Sequence, residues 1–164
     1  MKDKFSQKIY QELTMSNTDT LTFAEFNIGI SLHENLALLI HQIDYYVDRA
    51  RMQEIAAATD ELRFGISTSG TIPAIVPNDH NIVDMVRINL IVAASPEVLK
   101  FPLIKRYNAF PSGGIIVPAR PLYLACMTEG FGNAVHIECV IHFLYKKLSG
   151  QEFLELVQAT RIIA

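Results

Sequence analysis

The stretch that decides the fold is Val135-His136-Ile137-Glu138-Cys139-Val140-Ile141-His142-Phe143-Leu144-Tyr145. Val135, Ile137, Cys139, Ile141, Phe143 and Tyr145 fall on one side of a two-residue repeat, and His136, Glu138, Val140, His142 and Leu144 on the other. Successive side chains of a strand point to opposite faces, so this alternation marks a strand with one buried face. A helix at about 3.6 residues per turn would scatter the same residues around its circumference. The segment reads as a strand.

The same rhythm recurs toward the N-terminus. Leu62 to Thr68 alternates Leu62, Phe64 and Ile66 against Arg63, Gly65 and Ser67. Leu36 to Val47 is apolar on both sides at first, as for a strand covered on both faces, and then alternates. Strict alternation puts Leu39, His41, Ile43 and Tyr45 on one face and Leu38, Ile40, Gln42 and Asp44 on the other, so His41 and Asp44 are not expected to pair. Thr20 to Ile30 and Ile82 to Ala94 add further strand-like runs. Ile115 to Val117 and Leu122 to Met127 are short strands interrupted by Pro118 and Pro121, which fits an edge or a corner. Turn clusters separate them, among them Pro77-Asn78-Asp79-His80-Asn81 and Pro111-Ser112-Gly113-Gly114.

Strands at this spacing predict a mainly β chain: one antiparallel β-sandwich or jelly roll over residues 20–164, with a short C-terminal helix. Ser149-Gly150-Gln151-Glu152 is a capping box that starts this helix, with Phe153, Leu156 and Val157 on one side of it. Arg49 to Thr59 suggests a second helix of a turn or two. Phe5, Ile9 and Leu13 lie at i, i+4, i+8 spacing, so residues 1–19 read as an N-terminal arm or one short amphipathic helix.

Composition narrows the function. Half of the 164 residues are hydrophobic and only 19% are charged, against about 25% charged in an average soluble domain. Apolar runs such as Leu36 to Ile40 fall far short of the ~20 residues of a spanning helix, so no membrane span is expected. The composition fits surplus apolar surface hidden between subunits, with an unusually apolar monomer as the alternative. Met1-Lys2-Asp3-Lys4-Phe5 has no apolar core of a signal peptide. With a net charge of −3 and scattered basic residues, direct nucleic-acid binding is not expected. Cys126 and Cys139 form no metal motif and read as buried packing residues.

Nothing in the sequence carries catalysis. His136 and His142 are six residues apart, about 20 Å along a strand, so they cannot share one ion. His33, His41 and His80 form no HxH or HxxxH pair, and no metal site is expected. No glycine-rich turn opens a helix as a phosphate site requires, so no cofactor is expected. Arg120, held between Pro118 and Pro121, is placed either to reach a carboxylate on another subunit or to stand in solvent.

The order of segments resembles a known class. Leu39-Ile40-His41-Gln42-Ile43-Asp44-Tyr45-Tyr46 comes first, followed by Leu62-Arg63-Phe64-Gly65-Ile66-Ser67. Then come Gly113-Gly114-Ile115-Ile116-Val117-Pro118 leading into Leu122-Tyr123-Leu124, and finally Phe143-Leu144-Tyr145-Lys146-Lys147-Leu148-Ser149. Over residues 20–160 this is similar to the single jelly-roll or β-sandwich virion proteins of phages and archaeal viruses. The resemblance implies a shell subunit, located in the virion, whose arm and loops contact copies of itself and other shell proteins, with no catalytic residues. The chain departs from many capsid subunits in lacking a basic N-terminal arm, which favours a shell or decoration role over genome packaging.

The interface candidates are Phe5, Ile9, Leu13, Arg120 and Phe131. One rival reading is a cytoplasmic β-sandwich module that binds a small ligand or carbohydrate through Tyr107, Phe110, Tyr123 and Phe131. An enzyme would have to draw on His136, Glu138 and His142.

Overall fold

The computed structural model describes residues 6–28, 35–55, 57, 59–89 and 102–159. These form nine strands: β1 (Gln7–Thr14), β2 (Thr22–Phe26), β3 (Leu36–Val47), β4 (Glu61–Ser67), β5 (Ile82–Asn89), β6 (Leu103–Arg106), β7 (Ile115–Pro118), β8 (Leu122–Glu129) and β9 (His136–Lys147). A 3-10 helix (Arg49–Glu54) follows β3, and α1 (Gly150–Ala159) follows β9.

Pairing is antiparallel throughout and nested. β1 pairs β9, β2 pairs β8, β3 pairs β6 and β7, and β4 pairs β5, as in one long hairpin rolled up on itself. Two further pairings, β9 with β3 and β8 with β4, join these couples into two sheets. One sheet has five strands in the order β1-β9-β3-β6, with β7 also on β3, and the other has four in the order β2-β8-β4-β5. This is the strand order of a jelly-roll β-sandwich.

The core lies between the sheets. Leu38, Ile40, Tyr45, Phe64, Ile137 and Ile141 are among its fully buried side chains, and Tyr45 meets Phe64 edge-on at 5.0 Å. In β9 the inward set runs Ile137, Cys139, Ile141 and Phe143, the face that alternation predicts. A smaller cluster of Ile72, Ile75 and Ala125, with Phe23, Met85 and Met127 packed on it, lies on the far side of the four-stranded sheet. There the chain between β4 and β5 folds over its own sheet.

Several expectations are corrected. Residues 7–14 of the N-terminal segment form a strand, not a helix, and this strand is an edge of the five-stranded sheet among the described residues. A spacing of four is a multiple of two, so Ile9 and Leu13 share a strand face as readily as a helix face; pairing with β9 decides between them. Phe5 lies outside the described residues. Arg49 to Thr59 yields only the 3-10 helix, capped by Asp48 accepting from the Ala50 amide. Pro118 and Pro121 do mark a corner, where the chain passes from one sheet to the other, but β8 beyond it is an interior strand. The predicted strands Thr20 to Ile30 and Ile82 to Ala94 are described as β2 and β5, and residues 29–30 and 90–94 lie outside the described residues.

The capping box forms as the sequence predicts. The Glu152 amide donates to Ser149 Oγ at 3.2 Å, and the Ser149 amide donates to Glu152 Oε2 at 2.8 Å.

Candidate functional site

The two outer faces of the sandwich differ. That of the four-stranded sheet carries the apolar cover just described, whereas that of the five-stranded sheet presents a mixed surface built row by row across the strands. Lys8, His142, Gln42 and Arg106 lie side by side in register, and the next row is Tyr10, Val140, Asp44 and Ile104. Beyond it come Glu12, Glu138 and Tyr46, and then Thr14 beside His136. Tyr10, Tyr46 and Ile104 are 52%, 38% and 44% exposed, three of the five large hydrophobics exposed among the described residues.

A bulge in β3 shapes this face. Ile40 pairs Phe143 and Gln42 pairs His142, leaving His41 as an extra residue. Leu38 and Ile40 point into the core before it; Ile43, Tyr45 and Val47 point in after it. Strict alternation across residues 36–47 is therefore wrong. One inserted residue reverses the parity and puts His41, Gln42 and Asp44 on the same outer face.

There Asp44 Oδ2 and His142 Nε2 lie 2.7 Å apart, and the Gln42 amide donates to Asp44 Oδ1 at 2.8 Å. The His41 ring lies 6.1 Å from that of His142 and bonds Ser6 Oγ through Nε2 at 2.7 Å. Burial, and then the charge of His142, lower the His41 pKa. The sequence reading missed this cluster because no pattern marks a bulge.

In the last two of these rows, Glu12, His136 and Glu138 bring one ligand atom each within 4.8 Å of one another. Thr14 Oγ1 bonds His136 Nδ1 at 2.8 Å, which leaves Nε2 turned toward Glu138 at 3.8 Å. The Tyr10 hydroxyl bridges the two carboxylates at 3.1 and 3.0 Å. Desolvation and these two glutamates push its pKa up to about 12. Two carboxylates and an imidazole are a donor set that can hold a divalent cation. Histidine spacing alone could not show this trio, because Glu12 joins it only through the β1–β9 pairing.

A third polar centre lies between the sheets. Asp84 of β5 is 9% exposed and accepts from Tyr45 at 2.8 Å, from Tyr107 and from the Lys105 ammonium, all three on the opposite sheet or just past it. Burial first, and then Asp84, raise the pKa of Tyr45 and of Tyr107. These groups are fully engaged with one another and act as a clasp.

The other singled-out residues scatter. Leu13 and Phe131 are 3% and 4% exposed, so they belong to the core and present nothing to a neighbour. Ile9 is half-buried against that core. Arg120 lines a cleft of about 410 Å³ with Glu25, Phe26, Ile28 and Pro121. The aromatics proposed for a ligand pocket do not converge. Tyr107 and Phe110 meet edge-on at 5.7 Å, Tyr123 packs over Gly70, and Phe131 is buried. His136 and His142 belong to separate clusters.

Fold and site together define a jelly-roll β-sandwich with one chemically mixed sheet face that is open among the described residues. Comparison with protein-family models and with curated proteins finds no match for the chain.

Proposed function

We propose that the protein is a structural subunit of a large assembly, a viral capsid or virion shell protein that packs against copies of itself and other shell proteins. The observation that carries this reading is the nested jelly-roll strand order around an apolar core, an order used by viral capsid domains as well as by lectins and cupins. Lectins and cupins use the sandwich to hold a ligand. Here the space between the sheets is filled by side chains such as Phe26, Phe64 and Ile137. Tyr10, Tyr46 and Ile104 stand exposed on one sheet face, as suits a surface for packing. The acidic balance supports a shell role in which genome contact falls to other components.

Light scattering on purified protein at micromolar concentration, followed by negative-stain imaging, tests the reading. Rings, shells or other closed multimers are expected, and a clean monomer overturns it. A second reading, a module binding a small ligand or carbohydrate, is favoured by the Arg120 cleft, whose volume falls within the ordinary range for ligand pockets. A melting temperature that rises with an added sugar or small carboxylate, and falls back in Arg120→Ala, is its signature.

A further inference from the structure

The geometry points to the outer face of the five-stranded sheet as a two-fold interface with a second copy of this chain, built so that each copy's basic end lies on the other's acidic end. The inference names one contact of the proposed assembly and rests on that reading.

Charge is unevenly spread over this face. Lys8 and Arg106 stand at one end, Glu12 and Glu138 at the other, and the row holding Tyr10, Val140 and Ile104 runs between them. Lys8, Arg106 and Glu12 are exposed, and Glu138 is half-exposed. A two-fold axis lying along that middle row turns the second copy end over end, while each strand stays above its own counterpart. Tyr10, Val140 and Ile104 then meet themselves at the axis. Lys8, two residues before Tyr10, lands on Glu12 of the second copy, two residues after it. His142 lands on Glu138 of the second copy by the same operation. A two-fold axis along the strands would instead set like charges together. Of these two orientations only the first makes the face self-complementary, as an isologous interface requires.

Asp44 also lies on the axis. It is 8% exposed and already bonded to His142 and Gln42, so its carboxylate sits below the contact surface. The area suffices. Five rows, from Leu39 beside Leu144 at one end to Thr14 beside His136 at the other, and up to four strands about 4.8 Å apart give a face of roughly 19 by 30 Å, on the order of 1,100 Å² for the pair. That clears the ~1,000 Å² that a specific interface needs. The opposite outer face does not offer the same surface, because Ile72 and Ile75 cover it from within the chain.

The test is a charge swap on the full chain, read by sedimentation and light scattering. Lys8→Glu and Glu12→Lys each set like charges against each other at both symmetry-related contacts, and each is expected to weaken self-association at least tenfold. The double variant K8E/E12K restores opposite charges and with them the wild-type mass. An equimolar mixture of the two single variants also associates, because each copy then meets its complement. Both positions are exposed, and unchanged circular dichroism and melting temperature show that the variants fold. Single variants that associate like the wild type, or a double variant that stays dissociated, overturn this interface but leave the assembly reading standing; some other surface or partner then makes the contact. A wild-type monomer overturns both.

Discussion

The Tyr45 hydroxyl donates to Asp84 Oδ2 across the sandwich at 2.8 Å, joining β3 of one sheet to β5 of the other. Lys105 and Tyr107 reach the same carboxylate from the five-stranded side. A buried carboxylate with three donors is stabilising only while all of them remain. Tyr45→Phe removes one neutral donor and is expected to cost about 1 kcal/mol. Asp84→Ala strands a largely covered ammonium and a buried hydroxyl, and is expected to cost about 3 kcal/mol or more. Urea denaturation of both variants measures the gap. Equal losses would mean that the clasp is not a unit.

Gly65 of β4 faces β5 at its closest approach. A Cβ there would lie 2.2 Å from the Asp84 carbonyl oxygen and 2.9 Å from Met85 Cα. Both are backbone atoms of a paired strand and cannot rotate away, so the strands must part. Gly65→Ala is expected to cost on the order of 2–3 kcal/mol, as overpacking does. Gly113 is the contrast. Its φ is +79° with nothing within 4 Å of a Cβ, so Gly113→Ala carries only the left-handed backbone cost of about 1–2 kcal/mol. Thermal unfolding of the pair should rank them in that order.

His41 gives the five-stranded face a pH dependence. Burial and the neighbouring His142 lower its pKa from the ordinary 6.5. The folded state therefore binds fewer protons at His41 than the unfolded chain, and stability rises with pH across that window. The contribution is fully present above the unfolded value and fades as pH falls through the folded one. His41→Gln removes the titration while keeping a polar partner for Ser6. The free energy of unfolding, compared between about pH 5 and pH 7, should change less in the variant than in the wild type. An identical profile would remove His41 as the source.

How far the sequence could be read depends on whether the controlling contact is local. β9 is legible because a strand with one buried face writes its period into adjacent residues. The Ser149–Glu152 cap is legible for the same reason, since both partners lie within one turn. β3 is legible as a strand but not in its facing, because the bulge at His41 leaves no mark in hydrophobicity. β1 is ambiguous, since Ile9 and Leu13 satisfy two periods at once. Asp84 meets partners 21 or more positions away and Glu138 meets Tyr10 across 128, and only the nested pairing brings them together. β6, four residues long with Lys105 turned inward to Asp84, breaks the pattern that would have revealed it.

Cys126 and Cys139 lie on the inner faces of opposite sheets, and both are fully buried. Burial pushes the Cys126 thiol up to about 12 and raises Cys139 as well, so neither forms thiolate at neutral pH while the sandwich is closed. Reaction with an aromatic disulfide reagent must then wait for the sheets to separate. Where reclosing outpaces reaction, the observed rate is the free-thiol rate multiplied by the open fraction. For a domain stable by at least ~5 kcal/mol, that slows both thiols by more than about a thousandfold relative to the denatured chain. Tyr45→Phe, at about 1 kcal/mol, should accelerate both by roughly fivefold and by the same factor. Two thiols that respond differently would show that the halves of the sandwich open separately, and that the Asp84 clasp governs only one of them.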